Sequence, residues 1–146
     1  MPQSFDSPAL VLSQSWNTMS HRPNELSACE AVTAINDDRL SARDLAESCL
    51  ERIEARDPEI KAWVARDRNK LLAEADTADA LSAATRGPLH GLPVGIKDIF
   101  DTRAYPTACG SAIYRDHRPA AGAAAVALLR SGRDRELRDN PVLFLA

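Results

Sequence analysis

The chain has 146 residues, 45% of them hydrophobic and 27% charged, with 18 basic and 21 acidic side chains and a net charge of −3. That is the composition of an ordinary globular domain with a real core. It carries no cationic field for nucleic acid, and no run approaches the roughly 20 apolar residues of a membrane span.

Residues 1–24 show no periodicity and are expected to be a flexible arm; MPQSFDSPALVLSQSW lacks a basic n-region, and its apolar stretch is too short for a signal peptide. Ser27-Ala-Cys-Glu30 then has the capping-box pattern, in which serine and glutamate satisfy each other's orphan backbone N–H groups. Ala28, Val32 and Ile35 follow at helical spacing, and Asn36-Asp37-Asp38 stops the element. Ser41-Ala-Arg-Asp44 opens a second helix, with Leu40 and Leu45 placed as a hydrophobic staple. Its buried stripe reads Leu45, Cys49, Ile53, and Asp57-Pro58 is expected to end it, since the residue before proline avoids the helical region.

Ile60 to Ala65 alternates and reads as a short strand; 67–84 reads as a third helix with Leu71, Leu72, Ala75, Ala78 and Leu81 inward. Gly87-Pro88 breaks the chain. Val94 to Phe100 is the best central-strand candidate, with Pro93 as its first residue. A Gly- and Pro-containing loop follows over 105–119, then a small-residue helix from Ala120 to Arg130, closed by Gly132. Helices before and after short strands give an α/β layer architecture. Past Gly132 the character changes: six charges in the seven residues 133–139, then PVLFLA, which by periodicity alone reads as a solvated turn or frayed helix.

Cys29, Cys49 and Cys109 are odd in number, widely spaced and without a C-x-x-C pair, so neither a disulfide framework nor a zinc site is expected, and a reducing cytoplasm fits. Cys49 reads as a small core residue. His21, His90 and His117 are scattered and make no metal constellation. Trp16 and Trp63 lack aromatic neighbours, so no base-stacking platform is implied.

The residue that stands out is Lys97, inside the apolar run Leu92, Val94, Ile96, Ile99, Phe100. A lysine in a strand is most often a snorkelling rim residue. Gly91 and Gly95 leave room for another backbone or a substrate, and the apolar surround would lower the amine's pKa by desolvation and let it act as a general base. His90 reads as a turn residue contacting backbone. Asp98, expected on the opposite strand face, reads as a network or cap residue.

GPLHGLPVGIKDIFDT, followed by Pro106-Thr-Ala-Cys-Gly-Ser111 and the helix ending Val126-Ala-Leu-Leu-Arg130, closely resembles the amidase signature family. LSARDLAESCLERIEARDPEIKAWV, from 40 to 64, resembles that family's N-terminal helical region. The resemblance spans about residues 25–132 and leaves 133–146 as a divergent tail. It implies the N-terminal helices and first strands of a fold that layers helices around a mixed sheet. It also implies amide-bond hydrolysis by a serine–cis-serine–lysine triad, with Lys97 as the ultimate base and backbone N–H groups holding the oxyanion. No cofactor is implied, and the partner is a small-molecule amide. Neither nucleic acid nor membrane is expected.

The departure from the family is as informative. Both triad serines belong to a Gly/Ser-rich signature, and no such stretch occurs in these residues. Only Ser111 and Ser131 follow Lys97, and neither has that context. The resemblance also switches abruptly to charged sequence after 132, as a frameshift or premature stop would leave; the nucleotides past codon 132, read in the other two frames, test this. The chain is therefore expected to be inactive by itself, and marginal in stability because the strand bearing Lys97 would lack neighbours. Two alternatives stand beside an amidase: an A-type subunit of a glutaminyl- or aspartyl-tRNA amidotransferase, and a non-catalytic binding or regulatory remnant.

Overall fold

The computed structural model describes residues 22–131 and the backbone of 142–145. Its elements are four helices, α1 (Ala28–Asn36), α2 (Ala42–Ile60), α3 (Arg68–Asp79) and α4 (Ala124–Ser131), and two strands, β1 (Pro93–Ile96) and β2 (Val142–Leu145). The described part is thus mainly helical, with two strands where a larger mixed sheet was expected.

The capping signals work as the sequence implies. Ser27 Oγ accepts the Glu30 N–H at 3.3 Å, and Glu30 Oε2 accepts the Ser27 N–H at 2.8 Å, closing the box. Ser41 Oγ accepts the Asp44 N–H at 2.9 Å and starts α2. Leu40 and Leu45 are both buried. The start of α2 has a second cap from across the molecule: the Asp79 carboxylate accepts the N–H groups of Ala42 and Arg43 at 2.7 and 3.0 Å. Burial pushes that carboxyl's pKa up, against these two bonds.

Two aliphatic clusters join the three helices. Ala42, Ala46 and Leu50 of α2 meet Leu71, Leu72, Ala75 and Ala78 of α3. Ala31, Ala34 and Ile35 of α1 meet Leu40 and Leu45. Alanines on facing helices let the backbones approach closely, and Leu50 fills the space between them. The deepest side chains of α2 are Ala42, Leu45, Ala46 and Leu50, so the buried face is centred beside the expected Leu45–Cys49–Ile53 stripe; Cys49 and Ile53 lie at its half-buried margin.

Three element boundaries differ from expectation. Helix α2 runs through Asp57-Pro58 to Ile60. A proline in the last turn removes a single ladder donor, and the helix end is held otherwise. Lys61 adopts the left-handed conformation (φ 55°) and donates its N–H to the Asp57 carbonyl at 2.7 Å, while the Asp57 side chain accepts from Ala62 and Trp63 at 2.8 and 3.1 Å. The strand expected over Ile60–Ala65 is therefore absent; an isolated bridge at Ala65 is all that remains of it. Helix α3 stops at Asp79, and α4 starts at Ala124, four residues later than expected. Gly132, the expected C-cap of α4, lies outside the described residues, as does the arm up to residue 21. The described chain opens instead with a 3-10 turn, Pro23–Glu25, whose Asn24 side chain bonds Ser48 of α2 at 2.6 Å.

The tail brings the largest correction. Val142–Leu145, expected as part of a solvated turn or frayed helix, runs parallel to β1 with Pro93 opposite Val142 and Ile96 opposite Leu145. A parallel neighbour needs a crossover connection, and the segment carrying α4 supplies it. The strand before Lys97 is thus paired on one side.

Candidate functional site

The site is built on the stretch 87–123. A turn over 88–91 delivers the chain to β1: His90 donates its N–H to the Gly87 carbonyl at 3.1 Å, and Leu92 to that of Leu89 at 3.2 Å. Gly91 has φ +68°, and a Cβ there would fall 2.7 Å from Cβ of Ala42, so only glycine lets this turn rest on α2. His90 is completely buried, in keeping with a structural turn residue.

The strand is shorter than expected. It ends at Ile96, which is buried against Val126 of α4. Lys97 is the first residue beyond it and is exposed. Its carbonyl accepts the N–H groups of Ile99 and Phe100, at 2.7 and 3.0 Å, in a tight turn. Of the apolar run around it, Ile96 is buried and Val94 half-buried, but Ile99 and Phe100 are 53% and 42% exposed. Desolvation is what turns a lysine into a base, and the described residues leave Lys97 open to solvent. They form a strand end that presents a lysine, with no dry pocket around it.

Asp98 does the reverse. It is 7% exposed, and its Oδ1 accepts the Ala108 N–H at 2.8 Å, tying the Pro106–Ser111 loop to the end of β1. This is the network role expected of it, set by the turn rather than by strand alternation. Two further buried residues hold the same loops. Thr102 Oγ1 accepts the Tyr105 N–H at 3.1 Å, and Thr107 donates its N–H to the His117 carbonyl at 2.9 Å. Neither threonine had a sequence signal, since a single threonine in a polar loop reads as solvated. Ser111 caps its own turn, accepting the Ile113 N–H at 3.3 Å, so its hydroxyl serves backbone. Cys109 and Gly110 both take positive φ, 51° and 67°, which bends the chain back sharply there.

Half-buried Tyr105 lies under the Lys70 ammonium, 5.3 Å from its ring centroid, and burial pushes its phenol pKa up. Cys49 is also pushed up by burial, against the pull of Arg52, which fits an inert core thiol. Among the described residues no group of three or more His, Cys, Asp or Glu side chains could hold a metal ion, and no helix is long and apolar enough to cross a membrane.

Comparison with known proteins gives this geometry a context. The sequence profile of the family named Amidase matches residues 44–132, from the first turn of α2 to the end of α4. The chain is 40% identical over 110 residues to AmiD of Mycobacterium tuberculosis, an amidase by name, covering 74% of this chain and 23% of AmiD. It is 47% identical over 87 residues to the A-type subunit of the glutamyl-tRNA(Gln) amidotransferase of Thiobacillus denitrificans, covering 59% of this chain and 18% of that relative. Among solved structures, the peptide amidase of Stenotrophomonas maltophilia superposes with a TM-score of 0.67 at 27% identity, over 82% of this chain and 24% of that enzyme. The chain thus spans about a quarter of the length of the relatives it matches. With the family profile covering most of it, and Lys97 and its flanking glycines inside the matched region, the chain belongs to the amidase signature family.

Proposed function

We propose that this chain contributes the lysine base of an amide-hydrolysing site, with Lys97 as the terminal proton acceptor of a serine–cis-serine–lysine relay. The observation that carries the reading is that the matched family region contains Lys97 at the C-terminal end of β1, the strand paired in parallel with β2. Active sites of open α/β sheets gather at the carboxyl ends of their strands. In the relay, the nucleophilic serine gives its proton to the bridging serine, which gives one to the Lys97 amine. The serine oxygen attacks the amide carbonyl, ammonia or an amine leaves, and water resolves the acyl-enzyme.

The 146 residues contain no Gly/Ser-rich stretch for the two serines, and in this reading the nucleophile comes from sequence outside them. The exposure of Lys97 agrees with this: the surface that desolvates it would come from the same sequence. In this reading residues 25–132, with β2 beside β1, are the N-terminal part of an amidase domain built around a mixed sheet, the substrate is a small-molecule amide, and the compartment is the cytoplasm.

Ammonia release from simple amides tests the first half of the proposal. The purified chain is expected to match the buffer blank. Release that disappears in Lys97→Ala would mean the chain carries its own nucleophile, and release unaffected by that change would remove Lys97 from the mechanism. Grafting the matched region into AmiD in place of its counterpart tests the second half: hydrolysis by the graft is expected to vanish on Lys97→Ala. The 47% identity to a component of an amidotransferase supports a second reading, in which ammonia is passed on by an A-type subunit. Co-purification with partner subunits distinguishes it. A non-catalytic remnant would give no hydrolysis even when grafted into AmiD.

A further inference from the structure

A groove of about 490 Å³ lies between the second half of α2, the turn at Ala62-Trp63 and β1. Its walls are apolar: Cys49, Ile53, Ile60, Trp63 and Pro93 line it. Gly95 completes the lining, and a Cβ there would sit 3.1 Å from the Trp63 ring, so glycine keeps the indole close to the strand. The volume falls within the roughly 300–1,000 Å³ of small-molecule sites.

Two of the three charged residues on the lining are arginines. Arg52 and Arg56 stand one helical turn apart on α2, both exposed and both lining the groove. Among the described residues neither has a carboxylate within ion-pair distance; Arg52 makes a single long bond, 3.3 Å, to Asn24 Oδ1. The one acid on the lining, Asp57, is already committed to Arg66 at 2.7 Å and to two backbone N–H groups. On that wall burial raises the Cys49 thiol pKa, and the nearby charge of Arg52 opposes the rise. An apolar trough with two uncommitted guanidinium groups at its edge is complementary to an amphipathic anion.

We propose that this groove binds a small anionic molecule with a flat apolar body, an aryl or arylalkyl carboxylate. Its ring lies against Trp63 and Ile53 and its carboxylate lies between Arg52 and Arg56. Lys97 is not among the lining residues, so the site stands apart from the amide-hydrolysis reading and survives or fails independently of it.

The test is calorimetric titration of the full 146-residue chain with 1-naphthoate and with its neutral counterpart 1-naphthylmethanol. Naphthoate is expected to bind roughly tenfold more tightly, the ratio that one charge-assisted hydrogen bond supplies. In the double variant Arg52→Gln/Arg56→Gln that advantage should shrink to about twofold or less. Both arginines are exposed, so its thermal transition should match the parent's, and Lys97→Ala should bind as the parent does. Equal affinity for the two probes overturns the proposal, as does naphthoate binding that the double variant leaves intact. So does saturable binding that appears only after residues 1–21 are removed, because the groove's occupant would then be the chain's own N-terminal segment.

Discussion

The helical half of the molecule, residues 22–86, and the strand-and-loop half, 87–131, bury different things. The first buries aliphatic carbon: alanines, leucines and Ile35 in two clusters shared by α1, α2 and α3. The second has a small apolar cluster, Ile96 with Val126, and holds all four of the buried polar residues described, His90, Asp98, Thr102 and Thr107. Aliphatic burial is non-directional and scales with area, so it holds helices together without fixing any one atom. A buried polar group is costly without a partner at hydrogen-bond distance, and Asp98 and Thr102, bonded to the Ala108 and Tyr105 N–H groups, tie the loops to defined positions. The strand end that carries Lys97 is held by the second kind of burial.

If the halves differ in this way, cutting carbon from the first should cost the most. Leu50→Ala removes a side chain that is 1% exposed, between α2 and α3, and should lower global stability by about 2–5 kcal/mol in urea unfolding. A loss below about 1 kcal/mol would mean the helices do not form the stabilising unit. Asp98→Ala should cost less, about 1–3 kcal/mol, by orphaning the Ala108 N–H. Its effect should be local: amide exchange should speed up across 105–111 while α2 and α3 keep their protection. Uniform acceleration would erase the distinction between the halves.

Ser27→Ala opens the capping box of α1 and should cost about 1 kcal/mol, readable as a lowered thermal midpoint. The smallest effect sits at the C-terminal end of α2, which Asp57 caps. Burial pushes its carboxyl up, but the Arg66 ion pair and the Trp63 and Ala62 N–H groups together hold it below its ordinary value. A lowered folded-state pKa means that this stabilisation is full above the ordinary carboxylate pKa of about 4. It is then lost as pH falls through the lowered value. Asp57→Asn should therefore flatten the acid limb of a stability–pH profile and leave the profile's shape near neutrality unchanged.

How much was legible in the sequence follows the same division. Ser27, Glu30, Ser41 and Asp44 announced two helix starts because capping is local, spanning four residues that carry both partners. Pro58 misled because proline's rule concerns helix interiors, and α2 was already ending there with Lys61 in the left-handed region. Val94–Phe100 misled in the opposite direction: its apolar run continues past the strand, but the chain turns at Lys97, and Ile99 and Phe100 are left exposed. Nothing local marks that turn, since its closing bonds are backbone N–H groups returning to the Lys97 carbonyl.

The motif around Lys97 is enough to give the family, and local signals are enough to give four helices and the starts of α1 and α2, because caps and apolar periodicity act over a few residues. Only the tertiary structure decided that Asp79 caps a helix 37 residues away, that Asp98 and Thr107 bind the loops, and that Val142–Leu145 pairs with β1. Those outcomes depend on groups distant in the chain becoming neighbours, and a buried N–H or strand edge takes whichever partner the packing brings within about 3 Å.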